Sequence, residues 1–252
     1  MSAAERSVVV ADFVAPPDAP AGGPTGTALV AAAREAGADR VAVTVRATAD
    51  GWAVVHAAPK LTRGTGEVAV TELTLAELRN AVGGARRVAT LEETLLAAHR
   101  ARLGLVLRIH DTLVVDTLAG ALGVTGGTGP AALRARFLVV VPDMRVGRRL
   151  RADARDLPSA RSVAATGGAW RGALTRRFPN LARAAADADD LVVPAALVTP
   201  ERVRDTLVPH LRRRGAFVWV EGVAPERRSD YEGLGAGGLF VTLPFTGRLT
   251  AG

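Results

Sequence analysis

The sequence predicts a single (β/α)8 TIM barrel of parallel strands, with a long loop excursion after the second strand. Short β-rich apolar runs alternate with longer amphipathic runs along the whole chain, the pattern of repeated strand–helix units. Eight such units can be placed. The chain has 252 residues, 48% of them hydrophobic and 23% charged, which suits one barrel domain spanning 1–252. An open doubly wound sheet is the competing arrangement.

Strands are expected at 7–14, 40–46, 104–109, 136–141, 162–166, 191–193, 216–220 and 238–242. Helical patterns fall between them at 27–36, 91–102, 113–122, 145–155, 172–186, 200–213 and 225–232. Thr199-Pro200-Glu201 opens a helix well, with Thr as the cap and Pro at the first helical position. Gly37 and Gly215 are placed to close the helices before them.

Two stretches depart from the repeat. Residues 15–26 form a Pro/Gly-rich loop after strand one. Residues 47–90 form the excursion after strand two, with an extra strand expected at 52–56 and a short helix at 75–81. Both leave the carboxyl ends of strands, the face on which such barrels build their sites. The glycine-rich run 126–130 precedes strand four and belongs to the opposite face.

Composition removes several classes of function. There is no cysteine, hence no disulfide framework and no thiolate metal site or nucleophile. No run approaches the ~18 apolar residues that span a bilayer, and the N-terminus reads as a strand rather than a signal peptide. A cytoplasmic protein is expected. The formal charge of +7 is almost all arginine, with Lys60 the only lysine. The densest basic run, 145–161, has its arginines at helical spacing and reads as a solvated face. With 4% aromatic residues there is little for stacking bases, so nucleic acid is not an expected partner. Gly233 to Gly238 fits G-x-G-x-x-G, but a strand follows it where a dinucleotide fingerprint needs a helix. No serine sits in a G-x-S-x-G elbow.

One segment is more specific. Glu35-Ala36-Gly37-Ala38-Asp39, then Pro59-Lys60-Leu61-Thr62-Arg63-Gly64-Thr65, then the ending 235–244 with Thr242-Leu243-Pro244, resemble the glycerophosphodiester phosphodiesterase family. The resemblance covers nearly the whole chain and is most specific over 32–78. It implies a TIM barrel whose mouth holds a divalent cation and two catalytic histidines. At the matching positions this chain differs. The family's first histidine falls on Asp12, its arginine on Phe13 and a metal-binding glutamate on Thr25. The strand-two carboxylates fall on Ala42 and Thr44, and the His-Asp pair on Ala57-Ala58, with His56 one residue early. The Glu-x-Lys of strand three reads Arg108-Ile109-His110. Holding a hard cation takes several oxygen ligands, and alanine offers none. Metal-dependent hydrolysis is therefore not expected, and no metal or cofactor is assigned.

Polar groups are still expected to converge at the mouth: Asp12, Arg46, Arg108 and His110, then Asp111, Asp143 and Glu221, with Trp219 beside Glu221. Arg46, Arg108, His110 and Trp219 are the expected ligand-binding residues. They would take a small anion bearing phosphate, sulfate or carboxylate, or the mouth would serve a protein partner. In the competing reading Arg108 is merely neutralised by Asp12 or Glu221. A repurposed, metal-independent enzyme would use Asp12, His110 and Glu221 as its catalytic groups. A third possibility is weak residual hydrolysis through His56 and a shifted metal site.

Overall fold

The computed structural model describes residues 7–14, 24–63, 66–83, 88–123, 135–163 and 189–245. The helical pattern at 172–186, the glycine run 126–130 and most of the loop 15–26 lie outside them. Within them, eight parallel strands close into a barrel: β1 (Val8–Val14), β2 (Arg40–Ala47), β6 (Gly104–Ile109), β7 (Phe137–Val141), β8 (Ser159–Ser162), β9 (Asp190–Pro194), β10 (Val218–Val223) and β11 (Gly238–Pro244). The β1–β11 ladder runs the full length of β1, whereas β1 meets β2 only at Val10↔Arg40 and Ala11↔Val41.

The excursion explains that short seam. β3 (Ala53–Val55) pairs antiparallel with the top of β2, Val45↔Val55 to Ala47↔Ala53. β6 already holds the other edge of β2, so β3 takes the upper half of the edge that β1 holds below. A hairpin follows, β4 (Lys60–Arg63) and β5 (Gly66–Ala69), then α2 (Leu75–Ala81). Their apolar side chains form a small core of their own: Val54, Leu61, Val70, Leu73, Leu78 and Val88 among others.

Local signals account for the helices. Thr25 caps α1 (Gly26–Glu35), and reciprocal Thr/Glu capping boxes start α2 (Thr74, Glu77) and α3 (Leu91–Ala101; Thr90, Glu93). Asp143 caps α5 (Met144–Asp153), and α4 (Leu113–Gly123) precedes it. Gly37 and Gly215 adopt φ of 67° and 71°, ending α1 and the helix 200–212, α6. The middle of α6, Val203–Leu207, winds as a π-turn. Pro209 has no N–H to give the Asp205 carbonyl, which removes one α-type bond there.

The fifth strand is offset from expectation. It lies at Ser159–Ser162, three residues before the apolar run that suggested 162–166. Pairing decides this: the Ser159 N–H donates to Asp189 and Val139 takes the Pro158 carbonyl, locking a serine- and arginine-containing segment into the wall.

Alternation sorts each strand into outward residues that pack beneath the helices and inward residues that fill the barrel. The interior holds Val10, Ala42, Val106, Leu138, Val140, Ala160, Val192, Trp219 and Phe240. The next inward residues toward the carboxyl ends are Asp12 on β1, Arg108 on β6, Ser162 on β8 and Glu221 on β10. These are the first, third, fifth and seventh barrel strands. A polar layer thus lies on an apolar one.

Candidate functional site

That polar layer is the floor of the mouth. Arg108 donates from Nη1 to Asp12 Oδ1 at 2.6 Å and from Nη2 to Asp12 Oδ2 at 2.8 Å, a two-pronged pair. Glu221 Oε2 lies 3.7 Å from Nη2, and Glu221 Oε1 accepts from the Ser162 hydroxyl at 3.2 Å. Beneath them the Phe240 ring centre is 5.3 Å from the guanidinium carbon. Glu221 follows the alternation of β10, level with Pro194 of β9, and the β10–β11 register shifts between Val220 and Val223, where Gly222 turns with φ of 73°.

Burial disfavours the Arg108 charge. The Asp12 hydrogen bonds and the charges of Asp12 and Glu221 outweigh it and raise its pKa. Burial pushes the Glu221 carboxyl up, and Asp12 adds to the rise, against the pull of Arg108 and the Ser162 hydroxyl. A divalent cation does not fit this floor. The guanidinium already occupies the space between the two carboxylates, and no group of three or more His, Cys, Asp or Glu among the described residues could hold a metal.

The upper rim is different. Arg46 donates from Nη2 to the Ala57 carbonyl at 3.0 Å, while its Nε–H is buried without a partner. Burial lowers its pKa, opposed by Asp111. His110 is exposed; partial desolvation, then Arg46 and Arg108, lower its pKa against Asp111, so the ring is neutral at pH 7. Asp111 accepts from the Val114 N–H and so caps α4. His56 is 1% exposed and faces the Ala58 carbonyl through Nδ1 at 2.8 Å, which places the proton on Nδ1 and leaves Nε2 bare and unpartnered. Arg46 and His56 thus fasten two successive carbonyls of the excursion.

Asp12, Arg108 and Glu221 converge as expected, with Arg46 and His110 above them. Two expectations are corrected. Arg108 does not offer a free fork to an anion, because both terminal nitrogens are engaged by Asp12. Trp219 is not at the mouth. It lies two residues below Glu221, donates its indole N–H to Asp190 Oδ2 at 2.9 Å and stacks on Arg40, 5.4 Å from the ring centre. A cavity of about 160 Å³ at that opposite end is lined by Trp219, Phe217, Arg40 and Asp190. Asp143 is spent on its cap, accepting from the Arg145 N–H. In a strand expected at 162–166 Ser162 opens the strand, far from the mouth, whereas in β8 it closes the strand at the mouth; the role of Asp190 has no signal in the sequence.

Residues 27–125 match the model of the glycerophosphoryl diester phosphodiesterase family. Over this segment the chain is similar to that family. No curated protein matches the chain. Solved structures agree with the fold. A glycerophosphodiester phosphodiesterase from Agrobacterium tumefaciens aligns over 95% of this chain and 96% of its own, at 18% identity and a TM-score of 0.66. One from Thermotoga maritima aligns over 93% and 94%, at 19% identity and a TM-score of 0.63. An Oleispira antarctica phosphodiesterase, solved with its product sn-glycerol-3-phosphate, aligns over 94% and 93% at 18% identity and a TM-score of 0.63. At these identities the likeness to the solved phosphodiesterases is one of fold. No helix among the described residues is long and apolar enough to cross a membrane.

Proposed function

We propose that this one-domain barrel is a cytoplasmic, non-hydrolytic member of its family that binds a small anion at the mouth, between Arg46 and His110. One observation carries the reading: the Arg46 guanidinium donates only to the Ala57 carbonyl and its Nε–H has no partner, so this charged group keeps donor capacity for a phosphate, sulfate or carboxylate oxygen. Among the described residues the floor beneath it supplies no cation cage, which supports a reading without metal-assisted hydrolysis. The Oleispira structure holds a phosphate monoester, and that ligand class is the natural probe here. Glycerol 3-phosphate release from glycerophosphodiesters, assayed with Ca²⁺, Mg²⁺ or EDTA, should stay at the buffer rate while phosphate raises the melting temperature. Metal-dependent turnover would sink the proposal. A protein-binding mouth is the outcome left if no anion stabilises the chain.

A second reading is favoured by the raised pKa of Glu221, the mark of a group that can hold a proton for acid chemistry. In it Asp12, His110 and Glu221 serve a repurposed, metal-independent enzyme. Turnover that survives His110→Ala would remove His110 from that set.

A further inference from the structure

We propose that the ligand of the mouth is a zwitterion, its anionic group held at the rim by Arg46 and its ammonium group held on the floor by Glu221. The inference rests on the anion site proposed above and adds the second charge.

The floor has more negative than positive charge. Asp12 and Glu221 contribute two carboxylates against the one guanidinium of Arg108, a formal balance of −1. Asp12 has both oxygens committed to Arg108 at hydrogen-bond distance. Glu221 has not. Its Oε1 takes only the Ser162 hydroxyl, and Oε2 stands 3.7 Å from Arg108, beyond a hydrogen bond. A carboxylate accepts about four hydrogen bonds, so Glu221 keeps acceptor positions open, and its side chain is 15% exposed. A bare anion bound at Arg46 is held less tightly because of that surplus charge. An ammonium brings the floor to neutrality.

The rim supplies the complementary end. Thr44 is level with Arg108 in the β2–β6 ladder, and Arg46 lies two residues further on. Two residues of strand rise about 6–7 Å, so the rim and the floor are separate levels, and a ligand that uses both must carry its two charges on different groups. The neutral His110 can donate or accept beside Arg46, and Asp111 is held back by its cap on α4. A short amine–phosphate or amine–carboxylate fits both levels.

The matched pair O-phosphoethanolamine and ethyl phosphate differs by the amine alone. Titration calorimetry at pH 7.5 should give O-phosphoethanolamine an affinity roughly tenfold higher. Glu221→Gln should weaken O-phosphoethanolamine and strengthen ethyl phosphate, since it removes a partner from one and a like charge from the other. A second readout needs no variant. In the wild-type chain the gap should narrow as Glu221, facing Asp12, Arg108 and Ser162, takes up its proton on acidification. Equal affinities, or a gap that survives Glu221→Gln, overturn the zwitterion while leaving the anion site standing. Binding of neither compound overturns the anion site, and this inference with it.

Discussion

Arg108 and Asp12 grip one another with two short hydrogen bonds, reaching from the third barrel strand to the first past the strand between them. Side-chain exposures of 22% and 21% put the pair below the surface but within reach of the mouth. Its geometry needs a planar fork, which lysine cannot supply.

Arg108→Ala should therefore destabilise the fold by about 3 kcal/mol, because it leaves two partly buried carboxylates facing each other without their cation. Arg108→Lys should recover only part of this. Urea denaturation of both variants checks it, and equal stability of Arg108→Lys and wild type would show that the fork does not matter.

The pH dependence of stability should carry the signature of Glu221. Its folded pKa is raised above the ordinary 4.5, so the folded state holds that proton more tightly than the unfolded chain. Its contribution is complete below pH 4.5 and is lost as pH rises through the folded value. Melting curves from pH 4 to 7 should show this loss in wild type and not in Glu221→Gln. A matching slope in both assigns the effect elsewhere. His56 and His110 work in the opposite sense: with lowered pKa values, their contribution is present above pH 6.5 and fades on acidification.

Trp219→Phe tests the base of the barrel. It removes the donor to Asp190, a carboxylate only 2% exposed, and should cost about 1–2 kcal/mol in chemical denaturation. Affinity for anions at the mouth should not change, because Trp219 lies in a lower layer; a large loss would return Trp219 to the site.

Much of this molecule was legible in the chain because strand alternation and helix caps are local signals. β6 appears at Gly104–Ile109 as expected, and the Thr/Pro opening and glycine closures of the helices hold. The same alternation brought Asp12, Arg108 and Glu221 to one level. What the chain could not convey was how far each side chain is already committed. Whether Arg108 is free depends on Asp12, 96 residues away, and the role of Ser162 depends on Glu221, 59 residues away. Trp219 was misplaced by one layer, because two residues along a strand separate the mouth from the packed interior.

Leu78→Ala probes the excursion. The side chain is fully buried in the small core of β3 to α2, and its truncation should cost about 2–5 kcal/mol locally. Hydrogen exchange should accelerate through 53–82 and leave β7 to β11 unchanged. A uniform rise would mean that the excursion and the barrel open together.

The two-pair seam between β1 and β2 has a consequence for how this mouth can diversify. Above the seam the wall of the mouth, including the carbonyls fastened by Arg46 and His56, is made by a segment with a small core of its own, joined to the barrel's core through Ala53 and Val55. One jaw of the cleft is in effect an exchangeable part. Its length and lining can drift without disturbing the eight staves below, while the Asp12–Arg108–Glu221 floor, tied into four separate strands with Ser162, resists piecemeal change. For the anion site proposed above, selectivity for ligand bulk would be set by the excursion and selectivity for charge by the barrel.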